Sequence, residues 1–376
     1  MRRGPLAIAL SASVAIILSA PASGQLRAAV RADFPDRFVT IVAAALAAAL
    51  AVAVLVAIAR IRDRRALRYL AIATALVVGV TYARAVRTGN AEVDVVERVH
   101  FIEYGMLALL FYRAWRPTGD ASVFILPMLA GVLVGTLDEW WQWFIPDRVG
   151  EAHDVLLNGV AIGCGLLFAA GLDPPARPMP ALHRDSVARA GLAAVIVATV
   201  FALFFQSVHL GCEVIDDDGN VFRSAYSAGD LESVARDRAQ AWRVRPPVVL
   251  HRFSPEDHYL SEGWWHVQER NRAVSDGRAR AAWSENRILE QFFGPVLDTP
   301  SYVSATGHRW TVEQRARAAQ QAKQGVMQAA RQDDGPYTSG ASPYPIYAWP
   351  TSIYWMVVIG AVIAVMRLTD ARAAAI

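Results

Sequence analysis

The sequence predicts an all-α protein that crosses a membrane several times and carries a mostly helical domain inserted before its last span. Of its 376 residues, 54% are hydrophobic and the mean hydropathy is +0.27, which is too apolar for a protein with a fully hydrated surface. The apolar residues gather into runs of about 17 to 25 residues, the length that crosses roughly 30 Å of hydrocarbon. Residues 211–350 contain no such run, so we expect them to form a separate domain.

Eight apolar runs predict the spans. The first follows Met1-Arg2-Arg3 and ends near Ala20, a pattern typical of a cleaved secretory signal over residues 1–24 and equally of a retained first span. The other seven cover 38–59, 67–85, 99–115, 121–144, 153–171, 189–208 and 352–366.

These runs divide the chain into five parts. They are a signal peptide or first span with its linker at 1–37, a transmembrane domain at 38–172, a cytoplasmic loop and additional span at 173–210, an extracytoplasmic domain at 211–350, and a final span with a cytoplasmic tail at 351–376.

The arginines predict the orientation of the spans. They concentrate in the loops at 60–68, 113–120 and 173–189 and in the C-terminal tail, which places those segments in the cytoplasm. The alternate loops, which are acidic, and the 211–350 domain are then outside. The arginine-rich and alanine-rich composition is typical of a GC-rich bacterium, so we expect a multi-pass protein of the bacterial inner (cytoplasmic) membrane with a periplasmic domain.

The inserted domain should begin with a short hairpin over 212–222, whose Asp216-Asp217-Asp218-Gly219-Asn220 segment is interpreted as a turn in preference to a calcium loop. Helices are predicted at 229–243, 254–273, 276–293 and 311–332, followed by a stiff proline-rich linker. The domain is a candidate surface for a protein partner. The net charge of +3 and the lack of a basic stripe with interleaved aromatics argue against nucleic acid.

Polar residues converge at the predicted outer ends of three apolar runs. Their helical spacing places them on one face of each helix, and burying charge in hydrocarbon costs a few kcal/mol unless the charge is paired, so a shared polar pocket is expected. The residues are His100, Glu103 and Tyr104 on the first run, Asp138, Glu139 and Gln142 on the second with Arg148 just beyond it, and Asp154 and Asn158 on the third.

This pattern resembles the VanZ family over roughly residues 40–172. The resemblance rests on His100-Phe101-x-x-Tyr104, on Asp138-Glu139-x-x-Gln142-x-Phe144-x-Pro146-x-Arg148, and on Asp154-x-x-x-Asn158. It implies a helical membrane bundle with its site at these positions and a link to resistance to the glycopeptide teicoplanin. The 211–350 domain departs from the short form of the family.

Three functions remain open at this stage. The pocket binds a lipid-linked or glycopeptide-like ligand among the membrane lipids, or it performs acid–base chemistry through Asp138, Glu139 or His100, or it is an ion-pair network that packs a structural subunit. We favour the first, without an enzymatic activity. No cofactor and no metal are expected. Trp140, Trp141 and Trp143 form an interfacial belt or a wall against the ligand.

Overall fold

A computed structural model describes residues 3–145, 148–175, 182–247, 255–300, 304–329 and 335–374. Its helices are α1 (Arg3–Asp33), α2 (Phe38–Arg60), α3 (Arg65–Ala85), α4 (Ala91–Glu97), α5 (Val99–Trp115), α6 (Ser122–Trp143), α7 (Ala152–Leu172), α8 (Arg184–His209), α9 (Ala228–Val244), α10 (Pro255–Ser275), α11 (Ala279–Phe292), α12 (Gly294–Asp298), α13 (Val312–Ala329) and α14 (Thr351–Ala374). Two strands, β1 (Cys212–Ile215) and β2 (Val221–Ser224), precede α9. The predicted fold class is confirmed.

The chain divides into two compact units. The membrane unit comprises Met1–Gln142, Gly150–Phe204 and Trp355–Ile376, and the inserted unit comprises Trp143–Val149 and Phe205–Tyr354.

Within the described residues, seven helices are long and apolar enough to cross a membrane: α1, α2 with the turn before it, α3, α6, α7, α8 and α14. The run predicted at 99–115 is also helical, as α5, but with 17 residues it is about 26 Å long and is not among the seven. The protein is therefore a multi-pass membrane protein.

The core of the membrane unit lies around α5. Tyr104, Leu107 and Ala108 of that helix are fully buried and pack with Ala161 and Ile162 of α7. Helix α1 contributes the fully buried Ala9 to the same cluster. It continues to Asp33, well beyond the apolar run that ended near Ala20. The two helices that carry the polar pattern at 100–104 and 154–158 are therefore packed directly on one another.

Arginine side chains complete the C-terminal end of α7. The Arg68 guanidinium of α3 donates to the carbonyl oxygens of Gly171, at 2.8 Å, and of Leu172, at 2.6 Å. Arg116, just after α5, pairs with Asp173 at 2.7 Å. The last carbonyls of a helix have no partner within it and carry partial negative charge, so these cations stabilise the end of α7. They also join α3 and the end of α5 to the end of α7.

A buried carboxylate joins the starts of α6 and α8. Asp120 is fully buried and accepts hydrogen bonds from the backbone N–H groups of Ser122 and His183, both at 3.0 Å, and from Nδ1 of His183 at 2.8 Å. Burial alone would raise its pKa. The hydrogen bonds from Ser122, His183 and Ser186 outweigh that effect and hold the pKa of Asp120 below its usual range.

The inserted unit begins with the predicted hairpin. Strands β1 and β2 pair antiparallel, and Gly219 occupies the turn at φ +81°. The Asp216 carboxylate accepts from the backbone N–H groups of Asp218, at 3.0 Å, and of Asn220, at 2.7 Å. The acidic segment is therefore a turn closed by its own backbone. Helices α9 to α12 pack over the hairpin around fully buried Phe222 and Phe293.

One face of α10 carries buried charged residues at four-residue spacing: Glu262, His266 and Arg270. Glu262 accepts from the backbone N–H of Ala225 at 2.9 Å, and burial raises the pKa of Glu262 to about 7. His266 lies 2.6 Å from Glu285 of α11. Arg270 donates to the carbonyl oxygen of His308 at 2.7 Å, and desolvation lowers its pKa to about 10. Each of the three side chains thus has a partner inside the inserted unit.

The segment expected to be a stiff linker is paired with the end of α8. The backbone N–H of Tyr347 donates to the carbonyl oxygen of His209 at 2.7 Å, and that of Gly211 donates to Tyr347 at 3.2 Å. Phe205 stacks on Tyr347, with ring centroids 5.5 Å apart, and on Tyr354, with centroids 6.0 Å apart. The two chain segments that enter and leave the inserted unit are therefore held side by side.

Gly211 tests how closely the segment after α8 packs against β2. A Cβ added there would lie 2.2 Å from the carbonyl oxygen of Ser224, which is backbone and cannot yield cheaply. We expect Gly211→Ala to lower the unfolding temperature of the purified protein by at least a few degrees. Gly229→Ala is the matched control, because no atom lies within 4 Å of its added Cβ and alanine favours helix. Equal melting of the two variants would contradict the backbone contact.

Asp120 predicts a pH-dependent stability. Its folded-state pKa is depressed, so its contribution is present above its unfolded pKa of about 3.9 and is lost as the pH falls through the lower folded value. Asp120→Asn should cost about 1.5–3 kcal/mol at pH 7, because the bonds removed are made to a charged group. Thermal unfolding in detergent should show that the difference in melting temperature between Asp120→Asn and wild type becomes smaller below about pH 4. Exposed Asp185, changed to Asn as a control, should leave the melting temperature nearly unaltered at every pH. A gap that is absent at pH 7, or that widens in acid, would contradict the assignment.

Candidate functional site

A hydrogen bond inside the membrane unit joins two helices of the polar pattern. The hydroxyl of Tyr104 on α5 donates to Oδ2 of Asp138 on α6 at 2.9 Å. Tyr104 is fully buried, and Asp138 is 3% exposed. The carboxylate is therefore held inside the bundle by a neighbouring helix.

Gln142 connects the two carboxylates of α6. Its amide nitrogen donates to Oδ2 of Asp138 at 3.1 Å and to Oε1 of Glu139 at 3.4 Å. The second oxygen of Glu139 accepts from the backbone N–H of Glu151, just before α7, at 3.3 Å. The spacings of three and four residues place the three α6 side chains on one side of the helix.

Asn158 of α7 completes the cluster from a third helix. A Cβ added to Gly135 of α6 would lie 3.1 Å from Cβ of Asn158 and 3.5 Å from the ring of Tyr104, so the missing side chain lets α7 and α5 approach α6 here. Asn158 is fully buried. Within the described part of the chain, neither its amide nitrogen nor its amide oxygen has a hydrogen-bond partner. A buried polar group left unsatisfied costs about 1–3 kcal/mol.

The remaining predicted residues lie around this cluster or outside the membrane unit. His100 is half-buried and stacks on Tyr104, with ring centroids 6.0 Å apart and planes inclined by 23°. Glu103 interacts electrostatically with Tyr104, and Asp154 with Tyr82 of α3.

Three residues of the resemblance lie beyond α6. Phe144 and Arg148 belong to the inserted unit. Pro146, expected to end the first polar helix, lies outside the described residues, as does Asp147.

Two acidic residues from the loops predicted to be outside, Glu97 and Glu151, lie close to the site. Burial raises the pKa of Glu151, and the nearby His153 partly offsets the rise. Burial also raises the pKa of Glu97, which His153 lowers and Asp94 and Glu151 raise further. Glu151 additionally supplies the backbone N–H that holds Glu139. Its position directly before the helix that carries Asn158 is the sequence signal that points to it.

The three tryptophans in the last turn of α6 are half-buried. The indole N–H groups of Trp140 and Trp141 are buried and, in the described ranges, have no hydrogen-bond partner. Trp141 follows Asp138 by three residues and so projects from the same side of α6. Trp143 lies in the inserted unit, with its ring centroid 4.6 Å from that of His258.

The chemistry of the cluster follows from its donors and acceptors. Carboxylate oxygens of Asp138 and Glu139 accept hydrogen bonds and attract positive charge, whereas the Asn158 amide both donates and accepts. An anionic group would be repelled in this low-dielectric surrounding, and a group that carries hydroxyl or N–H donors would be stabilised. Among the described residues, no group of three or more His, Cys, Asp or Glu side chains has the arrangement to hold a metal ion.

Comparison with known proteins identifies the segment that carries the site. A model of the VanZ/LLP1 family matches residues 44–172, which contain Tyr104, Asp138, Glu139, Gln142 and Asn158. No curated protein and no solved structure matches the chain. The resemblance expected over roughly residues 40–172 is confirmed. This membrane protein therefore carries a VanZ-like region, residues 44–172, that matches the VanZ/LLP1 family model.

Proposed function

We propose that the cluster of Tyr104, Asp138, Glu139, Gln142 and Asn158 binds the polar head of a lipid-linked or glycopeptide-like ligand. The site would face the outer leaflet of a bacterial inner membrane, and residues 211–350 would be extracytoplasmic. The observation that carries the proposal is the fully buried amide of Asn158, whose nitrogen and oxygen lack partners among the described residues. A ligand that supplies both hydrogen-bond partners would recover the free energy that burying the unsatisfied amide costs.

A purely structural role explains this amide poorly. Polar groups retained for packing are satisfied by their neighbours, as Glu262, His266 and Arg270 are in the inserted unit. Leucine has the same number of side-chain heavy atoms as asparagine and would fill the space beside Gly135 without an unsatisfied group. Binding energy is the kind of benefit that offsets such a cost in stability.

The VanZ-like match makes teicoplanin the first ligand to test, because the family is linked to resistance to this glycopeptide. The hydrogen-bond donors of a glycopeptide suit a cluster that is rich in acceptors. A glycopeptide would reach the site from the outer leaflet, which agrees with the orientation that the arginines predict.

Asp138 and Glu139 both accept hydrogen bonds from the side-chain amide of Gln142. This close approach of two carboxylates favours a second function. Two neighbouring carboxylates in one site can take different protonation states, which suits acid–base chemistry on the bound head. In that case Glu139→Gln would keep ligand affinity and abolish turnover of the ligand. Under the binding proposal no turnover is observed with either protein.

Asn158→Leu tests the binding proposal. With the full chain in lipid nanodiscs, we expect wild type to bind teicoplanin and the variant to bind at least about tenfold more weakly, a loss of about 1.4 kcal/mol or more. The measurement is a titration followed by tryptophan fluorescence. Thr136→Val is the matched control, since the Thr136 hydroxyl donates to the carbonyl of Val132 in its own helix and its loss leaves the cluster intact.

Two results would contradict the proposal. Equal affinity of Asn158→Leu and wild type would remove the amide from the binding site. A wild-type protein that does not bind teicoplanin would contradict the glycopeptide form of the proposal and leave the lipid-linked ligand as the one to test.

A further inference from the structure

We propose that the group bound at this cluster is a saccharide unit, held through neighbouring hydroxyls by Asn158 and the carboxylates of α6. The inference rests on the proposed binding function and names the chemical class of the ligand. It follows from matching the hydrogen-bonding capacity of the cluster to that of the possible head groups.

The amide of Asn158 requires a partner that both donates and accepts. Its oxygen needs a donor, its nitrogen needs an acceptor, and both atoms lack partners among the described residues. A phosphate at neutral pH only accepts, so it would leave the oxygen unsatisfied. An ammonium only donates, so it would leave the nitrogen unsatisfied. Two adjacent hydroxyls of a sugar ring satisfy both atoms, because each hydroxyl donates and accepts.

The rest of the cluster separates a sugar from a simple amide, which also donates and accepts. Asp138 and Glu139 add carboxylate oxygens on the same side of α6, linked by Gln142. Several acceptors around one position suit a group with several O–H donors on one ring. A primary amide offers only two N–H donors.

Trp141 supplies the aromatic element of the site. It follows Asp138 by three residues on α6, so it projects from the same side of the helix, and it is half-buried. Its buried indole N–H has no partner in the described parts of the chain and is a donor for a ring or hydroxyl oxygen. An indole combines a large apolar face with one polar atom, which matches the apolar C–H face and polar edge of a pyranose.

The charge around the cluster agrees with an uncharged head. Glu97, Glu103 and Glu151 lie near it, in addition to Asp138 and Glu139, and they interact electrostatically with one another or with Tyr104. Such an acidic surrounding repels phosphate and admits a neutral ring.

The test compares head groups on a constant tail. The full-length protein, purified without glycoside detergents and placed in nanodiscs, is titrated with decyl glycosides of glucose, mannose and N-acetylglucosamine. The same titration is made with decyl phosphate, decylamine and decanamide. We expect at least one glycoside to bind tenfold or more tightly than the three other heads, and Asn158→Leu to lose this preference while Thr136→Val keeps it.

The outcomes distinguish this inference from the proposed function. Phosphate, amine or amide heads that bind as well as every glycoside would overturn the saccharide assignment, as would a complete lack of preference. If teicoplanin still binds in an Asn158-dependent manner in those cases, the binding function stands and only the ligand class is wrong. If neither glycosides nor teicoplanin distinguish Asn158→Leu from wild type, both proposals fail.

Discussion

The hydrogen bond from Tyr104 to Asp138 fixes the helices of the site relative to one another. It joins α5 to α6 inside the bundle, where a carboxylate without a donor would be costly. Gln142 then connects Asp138 to Glu139, and the backbone of Glu151 connects Glu139 to the start of α7. At the other end of α7, Arg68 completes the helix by binding its last carbonyls. The position of Asn158 is thus determined from both ends of its helix.

Two of the buried polar clusters in the described residues differ in one respect. In the inserted unit, Glu262, His266 and Arg270 each have a partner on another element, so this network holds the hairpin, α11 and the later segments together. In the membrane unit, the amide of Asn158 has no partner within the described residues. The three α10 side chains are therefore satisfied by their neighbours, whereas both polar atoms of the Asn158 side chain are unsatisfied at the VanZ-like site, which supports a ligand role there.

Much of this arrangement follows from sequence periodicity. Apolar runs predicted the spans, and helical spacing placed Asp138, Glu139 and Gln142 on one face, because both signals are local. The contact of Glu151 with Glu139 and the unsatisfied state of Asn158 depend on how separate helices pack, which spacing does not encode. The burial of the ionisable side chains of α10 was also not predicted from the sequence. A Glu-x-x-x-His-x-x-x-Arg pattern is typical of a solvated helix face, and Arg270 is buried only because Asn286 and the His308 carbonyl provide acceptors.

The most direct test of the central claim is the thermal unfolding of Asn158→Leu beside wild type in the absence of any ligand. If the amide is retained for a ligand, removing two unsatisfied atoms while keeping the number and branching of the side-chain heavy atoms should leave the unfolding temperature unchanged or raise it by a few degrees. A fall of several degrees would show that Asn158 stabilises the fold, and it would contradict the account of this cluster as a binding site.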